Sequence, residues 1–201
     1  EHKLVGISLK KVAKEAKIKV YNMEKLKDSY EYKETQIVTK GSFFNSKGGF
    51  VYYSNNQRAE IRSNRYLGSN KLEIKGTLAR GGGIGWSIIE DYAKRFTNKI
   101  MPSHSDLVKM GTEISNGNET ELKKMYDYAK IGDKNFKMSY DDFKVQLSRF
   151  DEGWVVAKLG GVYIAWILET LSKKMANDYL DKLVKYAESS SVDSSVYIKA
   201  Y

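Results

Sequence analysis

Histidine is the side chain best suited to acid/base catalysis at neutral pH, and this 201-residue sequence holds two, His2 and His104. His2 lies at the terminus, so a site that needs two histidines is not expected. His104 follows Pro102 and is flanked by Ser103 and Ser105. A histidine beside hydroxyl groups can act as a general base in acyl or phosphoryl transfer. The alternative is a surface or helix-capping residue, and the sequence leaves both interpretations open.

Glu60, Glu73 and Lys75 form a second group of candidate catalytic residues. With Glu60 on the preceding predicted strand, the Glu-Ile-Lys segment at 73–75 resembles the acid plus Glu-x-Lys arrangement of restriction-endonuclease-like nucleases. In that family two acidic groups hold a divalent metal ion, and the lysine orients water or stabilises charge on the phosphate. The upstream acid of the family is usually Asp, where this sequence has Glu60. The competing interpretation is a strand with Glu73 and Lys75 on its exposed face.

The best candidate for a binding surface is a stretch in which aromatic and basic residues are interleaved. Rings stack on bases while cations hold phosphates, so this composition indicates contact with nucleic acid. Strand residues alternate between two faces, so half of the rings are expected to face a core. The predicted nucleic-acid-binding residues are Lys40, Lys47, Tyr52, Tyr53, Arg58, Arg62, Arg65 and Tyr66.

Four glycines within residues 81–85 precede a predicted helix. Such a run is typical of a turn that needs positive φ or the close approach of another backbone or a ligand. Free backbone N–H groups and the helix dipole favour an anion at a helix N-terminus, so we predict anion binding at Gly81, Gly82 and Gly83. A hinge, or tight packing beneath Trp86, is the competing interpretation.

The net charge is +9, and the whole excess lies in the first 80 residues. Residues 1–80 contain 17 Lys/Arg against 8 Asp/Glu, a balance of +9, whereas residues 81–201 contain 17 of each. This asymmetry indicates a polyanionic partner, which we predict to be RNA or single-stranded DNA. Solubility alone is the competing explanation for a lysine-rich surface.

The composition excludes several classes of site. No cysteine is present, so thiolate zinc sites, iron–sulfur clusters and thiol catalysis are excluded. The sequence lacks HExxH, Walker-type and GxSxG motifs, and we predict no metal and no cofactor. Lys158 and Glu169 interrupt the most apolar segment, 154–171, so no run reaches the roughly 18 residues of a membrane span.

Two patterns of periodicity divide the chain. Leu72 and Ile74 alternate with polar residues, as in other short runs between 32 and 75, which predicts an antiparallel meander. After residue 81 the apolar residues recur at helical spacing. The predicted fold class is α+β, a basic antiparallel β-meander lobe with a leading helix followed by a helical lobe. The predicted domains are residues 1–80, the helical lobe 81–188, and a linker and tail at 189–201.

N-cap signals at Asn118 and Ser139 predict two of the helices. A long helix from Trp154 to about residue 188 is expected to bend or divide at Gly160-Gly161. Its apolar stripe, which runs from Ile164 to Tyr186, is typical of a core or a subunit interface.

Together these patterns predict a non-enzymatic, largely sequence-independent nucleic-acid-binding protein that self-associates as a homo-oligomer, as a coat or nucleocapsid-like protein would. One alternative is a nuclease or toxin-type enzyme domain that uses Glu60, Glu73 and Lys75 or else His104. A structural or adhesive surface protein is the third possibility.

Overall fold

The computed structural model describes residues 32–37 and 84–186 with their side chains, and elsewhere the backbone alone of several strand segments and of residues 187–190. In the two fully described ranges 72% of the residues lie in six helices. These helices are α1 (Trp86–Thr97), α2 (His104–Ser115), α3 (Glu119–Gly132), α4 (Tyr140–Leu147), α5 (Glu152–Thr170) and α6 (Lys173–Ser190).

Nine short strand segments make up the other described elements. The backbones of β2, β5, β6, β7 and β8 are antiparallel neighbours in that order, and β1 pairs with β9 and β3 with β4. Their bounds are β1 Ile18–Tyr21, β2 Tyr32–Gln36, β3 Val38–Thr39, β4 Ser42–Phe43, β5 Gly49–Tyr53, β6 Arg58–Asn64, β7 Lys71–Gly76, β8 Gly82–Gly85 and β9 Tyr197–Ala200.

The predicted α+β class with a separate β-meander lobe is wrong for the residues described in full. In those ranges only two short strand stretches occur, 32–36 and 84–85, and they do not pair with each other, so they form no sheet. Tyr32 and Ile84 in these stretches, and Ile37 directly after the first, belong to the hydrophobic cluster that includes the helices. Alternating polarity predicts an extended segment but not the surface that covers it, which here is helical. The domain boundary at residue 80 stays a prediction.

Helix α5 is the centre of the hydrophobic core. It is apolar around most of its circumference, and 12 of its 19 residues are buried. Lys158 is the charged member of that buried set. Helix α2 packs against α5 at Val156, and α3 packs against it at Ala165. The predicted division of the helix at Gly160-Gly161 is wrong, because α5 runs through both residues and ends at Thr170.

Two glycines bring neighbouring helices unusually close to α5. A Cβ added at Gly111 of α2 would lie 2.3 Å from Val156 Cγ2, and one added at Gly132 of α3 would lie 2.9 Å from the backbone of Ala165. Any larger side chain at these positions would push the helices apart. Both crossings therefore depend on the missing Cβ.

Local signals account for the helix ends. Asn118 and Ser139 cap α3 and α4 as predicted, since the side chain of each accepts a bond from backbone N–H groups of its first turn. Ser103 caps α2 in a capping box with Asp106, and this bond lowers the pKa of the Asp106 carboxyl. Ser172 Oγ accepts from Met175 N at 3.3 Å, at the start of α6.

Residues of the predicted apolar stripe pack in the hydrophobic core of the same chain. Ile164, Leu168, Tyr179 and Leu183 are all buried in the core, and the Tyr179 hydroxyl donates to the carbonyl of Ile89 on α1. The stripe therefore joins α6 to α1 and α5, and it supplies no observation in favour of self-association. Among the residues that the structure describes, no helix combines the length and the apolar composition that a membrane crossing requires.

The predicted glycine turn is extended instead. Gly82–Gly85 forms β8, whose backbone pairs with β7, and Gly85 has φ −65° and ψ 146° as the residue that precedes α1. Positive φ is therefore absent at Gly85, although it occurs at Gly117 elsewhere in the described residues.

Candidate functional site

Most of the predicted site residues lie outside the fully described ranges. The positions of Lys40, Lys47, Arg65, Tyr66 and Gly81 fall outside the described residues altogether. For six others only the backbone is described. They are Tyr52 and Tyr53 in β5, Arg58 and Arg62 in β6, and Gly82 and Gly83 in β8. Their predicted roles in binding nucleic acid and an anion stay predictions.

The three residues of the nuclease hypothesis lie on neighbouring strands. The backbone register places Glu60 of β6 opposite Lys75 of β7, and Arg62 opposite Glu73. Each candidate acid is thus paired by register with a basic residue. Opposite charges at directly opposed positions are a common stabilising pair between antiparallel strands, so this arrangement is compatible with either the catalytic or the exposed-face interpretation.

His104 is the first residue of α2, and its side chain is exposed. The hydroxyls beside it belong to the helix cap. Ser103 Oγ donates to the Asp106 carboxylate at 2.6 Å and lies 2.9 Å from Ser105 Oγ. The Ser103 hydroxyl is therefore hydrogen-bonded to the carboxylate of Asp106 and not to the imidazole of His104. This favours the capping interpretation of the loop.

The described residues also line a cavity that no sequence pattern indicated. We call it the α5–α6 cavity, because it opens where α5 ends and α6 begins. Its volume is about 410 Å³, within the range of small-molecule sites. Its lining consists of Tyr32, Lys33, Lys134, Leu168, Glu169, Leu171 and Lys173.

A buried carboxylate lies in the wall of this cavity. The Glu169 side chain is 3% exposed, yet it forms an ion pair with Lys134, whose Nζ lies 2.9 Å from Oε2. The Tyr32 hydroxyl donates a hydrogen bond to Oε1 of the same carboxylate. Both oxygens thus have a partner, which is what a buried carboxylate requires.

These contacts shift the titration of both partners. Burial, and then the bond to Glu169, raises the pKa of the Tyr32 hydroxyl well above its usual range, so this phenol stays protonated. The same carboxylate raises the pKa of Lys134, which therefore stays charged. The Glu169 side chain thus lies between a protonated phenol and a charged ammonium group.

The segment 32–37 is docked on the helices at both ends. At one end the backbone N–H of Tyr32 donates to Asn177 Oδ1 at 2.6 Å. At the other, the N–H of Ile37 donates to Asp133 Oδ2 at 2.8 Å, and Asp133 is 1% exposed. Thr35 Oγ1 lies 3.1 Å from the Tyr32 hydroxyl. The segment therefore has a fixed position against α3, α5 and α6.

A second buried charge lies on α5, away from this cavity. Lys158 is 3% exposed, and its ammonium nitrogen lies 5.0 Å from the ring centroid of Phe150 and 5.6 Å from that of Trp154. Burial lowers the pKa of Lys158 to about 8. Cation–π contacts stabilise an ammonium group in this position.

Sequence reasoning missed the cavity because its residues are far apart in the chain. The one available signal was Glu169 itself, a charge near the end of a segment that is otherwise strongly apolar. Charged residues in such segments are rarely buried without a partner. Its partner Tyr32 precedes it by 137 residues, and no local pattern links the two.

In the described part of the chain, no group of three or more Asp, Glu or His side chains has a geometry suited to a metal ion. Three lysines and one glutamate lie in the lining of the α5–α6 cavity. Comparison with known proteins finds no matching family model, no matching curated protein and no matching solved structure.

Proposed function

We propose that this protein binds single-stranded nucleic acid, RNA or DNA, largely without regard to sequence and without chemical conversion of the strand. The observation that carries the proposal is the charge distribution: residues 1–80 hold the whole net charge of +9, and residues 81–201 are neutral. A polyanion that lies along the first part of the chain releases counterions, which drives association independently of base sequence.

The interleaved aromatic residues support a single strand rather than a duplex. Unpaired bases stack on side-chain rings, and Lys and Arg between the rings contact phosphates. The helical part supports the proposal in a different way. Hydrogen bonds attach segment 32–37 to the helices, so at least one stretch of the basic part is joined to the helical core. Self-association stays a prediction beside this proposal.

The test is a binding titration with fluorescein-labelled oligo(dT) and oligo(U) of 30 nucleotides, read by anisotropy between 50 and 200 mM salt, with and without Mg²⁺. For five phosphate contacts on a single strand, the affinity is expected to fall about a hundredfold across that range. Strand length is checked on a denaturing gel, and mass is measured by light scattering with and without the strand.

Each readout separates the alternatives. No association at 50 mM salt would contradict the proposal and leave a structural or adhesive role. Magnesium-dependent cleavage that is lost in Glu73→Gln would favour the nuclease instead. An increase in mass that depends on the strand would support the predicted coat-like assembly.

A further inference from the structure

We propose that another cavity, where α2 and α4 end, is a binding site for a nucleobase. We call it the α2–α4 cavity. Its volume is about 290 Å³, close to the lower end of the range for small-molecule sites. The inference rests on the proposed function only for the source of the base, which would be the bound strand. A free nucleoside presents the same base, and the experiment below distinguishes the two sources.

The inner wall of the α2–α4 cavity is apolar and comes from four helices. Each of α2, α3, α4 and α5 contributes one buried side chain, and the segment between α4 and α5 adds the half-buried ring of Phe150. The four buried side chains are Ile114, Leu122, Leu147 and Val155. Proteins that bind unstacked bases hold them between apolar and aromatic side chains of this kind.

The rim of the cavity carries an ion pair and no excess of charge. Glu119 Oε1 lies 3.4 Å from Lys144 Nζ, and these two are the charged residues of the lining. The lining is therefore neutral overall, which suits an uncharged ring better than a phosphate. Ser115 and Ser148, both exposed, add hydroxyl groups to the same rim.

The ion pair offers an acceptor and a donor side by side. The Tyr140 hydroxyl donates to Glu119 Oε2 at 2.6 Å, and this bond lowers the pKa of the Glu119 carboxyl, which at neutral pH acts only as an acceptor. Lys144 Nζ also lies 3.6 Å from Asp141 Oδ1, which leaves its three N–H groups at least one further bond.

This pairing is complementary to a base without selecting one base over another. The Watson–Crick edge of every nucleobase places a donor next to an acceptor, and proteins that bind single strands form hydrogen bonds to that edge. The carboxylate accepts from the donor while the ammonium group donates to the acceptor. A site of this kind agrees with binding that is largely independent of sequence.

One wall of the cavity belongs to a helix that adjoins the basic part of the chain. Leu147 and Ser148, at the end of α4, line the cavity, and the backbone of β4 lies next to α4. In the sequence β4 falls between Lys40 and Lys47, two of the predicted nucleic-acid-binding residues. A strand held by these lysines would pass close to α4, which favours the strand as the source of the base.

The test blocks the cavity without changing the net charge. Ser115→Phe and Ser148→Phe each add a ring at an exposed position of the lining. Asn116→Phe adds the same ring at a neighbouring exposed residue that does not line the cavity, and it serves as the matched control. Thermal unfolding checks that all three variants fold.

Two kinds of ligand separate the sources of the base. Saturation-transfer NMR detects binding of the neutral nucleosides thymidine, cytidine and adenosine at millimolar concentration. Anisotropy measures the affinity for labelled oligo(dT) and for an abasic strand of the same length, which keeps the phosphates and lacks the bases. N-acetylleucinamide is the comparison probe for an apolar side chain of a protein partner.

We expect saturation transfer to the base protons with the wild type and the control, and none with either blocking variant. The blocking variants should bind oligo(dT) about fivefold more weakly than the control, because one stacked base is lost. The salt slope should stay the same, since no phosphate contact is removed. All forms should bind the abasic strand equally.

Equal responses of the blocking variants and the control to nucleosides and to oligo(dT) would overturn the inference while the proposed function stands. So would a stronger signal from N-acetylleucinamide than from the nucleosides, because the occupant would then be an apolar side chain. If no form binds a strand but nucleosides bind only the wild type and the control, the inference stands and the proposed function fails.

Two further outcomes complete the test. Loss of nucleoside binding in the blocking variants with unchanged affinity for oligo(dT) would confirm the base site and identify a free nucleoside as its occupant. No response to strand or nucleoside in any form would overturn both the inference and the proposed function.

Discussion

The two halves of α5 each bury a charged side chain, and they compensate it differently. Near the start of the helix, the ammonium group of Lys158 lies against the rings of Phe150 and Trp154. Near its end, the carboxylate of Glu169 accepts a hydrogen bond from Tyr32 and forms an ion pair with Lys134. The whole Lys158 residue is 3% exposed, and so is the side chain of Glu169.

The difference shows that a buried charge can be surrounded in two ways, by aromatic rings or by polar partners from other elements. The environment of Lys158 lowers its pKa to about 8, because the cost of burial exceeds the stabilisation from the ring contacts. Glu169 instead holds two partners from other elements, and it ties β2 and the end of α3 to α5. One charge is tolerated by the core, whereas the other organises contacts between distant parts of the chain.

The largest loss of stability is expected for Glu169→Leu. The substitution removes the carboxylate that accepts from the buried Tyr32 hydroxyl and that pairs with Lys134, so we expect a loss of about 3 kcal/mol in the free energy of unfolding. Urea denaturation followed by circular dichroism measures it. Glu152→Leu, at an exposed site on the same helix, should cost less than about 1 kcal/mol. Similar losses in both variants would show that Glu169 has no organising role.

The next effect comes from the glycines that pack on each half of α5. Gly111→Ala and Gly132→Ala should each cost about 2 kcal/mol because of overpacking. Gly132→Ala should be the more costly of the two, since the added Cβ meets the backbone of Ala165 and Trp166 at 2.9 Å, whereas at Gly111 the nearest atom is a methyl group of Val156.

Thermal unfolding of both variants tests this order. Gly85→Ala serves as the matched control, because its added Cβ lies 3.8 Å from the nearest atom, Ser87 Oγ, and its φ is −65°. It should change stability by less than about 1 kcal/mol. A reversal, with Gly111 the more costly position, would mean that the first half of α5 is the more rigid one.

The titration of Lys158 makes the stability of the protein depend on pH. The unfolded chain keeps this proton up to a pKa near 10.4, whereas the folded protein releases it near 8. Between these values the unfolded state binds more protons, so stability rises with pH. We expect a rise of about 1.5 kcal/mol between pH 7.5 and 9.5.

Urea denaturation of the wild type and of Lys158→Met across that pH range measures the rise as a difference. The variant should lack it, because methionine fills the same space without titrating. Lys174→Met, at an exposed position, should retain it. A wild-type curve that is flat and parallel to that of Lys158→Met would contradict the assignment.

The smallest effect separates the two partners of Glu169. Lys134→Gln should cost less than about 1 kcal/mol, because its side chain is 66% exposed and solvent screens the pair. Tyr32→Phe removes the buried partner and should cost about 1 to 2 kcal/mol. Chemical denaturation of the two single variants and the double variant gives the coupling between them. A larger loss for Lys134→Gln would move the organising role from the phenol to the ammonium group.

The helices could be predicted from sequence where a local signal marks their ends. Asn118 and Ser139 each precede an acidic residue within the next turn and a run of apolar residues at helical spacing, and both cap helices in the structure. The break between α5 and α6 was placed wrongly, because Gly160 is suited to a close contact rather than a turn. A Cβ there would lie 3.1 Å from Trp86 Cζ3.

The surroundings of the extended segments and of the cavity could not be predicted. Tyr32 and Thr35 are both buried although they are three residues apart, because the strand register shifts between Tyr32 and Glu34, and strict alternation predicts neither this spacing nor the helices that cover them. The bond between Tyr32 and Glu169 depends on how α5 and β2 meet in three dimensions, and no spacing in the chain encodes that meeting. Charge distribution, by contrast, is a property of the sequence itself, and it is what the proposed function depends on.

The docking of segment 32–37 also bears on how the protein is made. Its acceptors follow its donors by 96, 137 and 145 residues, at Asp133, Glu169 and Asn177. During synthesis at 5–20 residues per second, Tyr32 would wait about 7–30 s before Asn177 is even polymerised. Segment 32–37 therefore cannot complete its contacts with the helices until α6 has been synthesised.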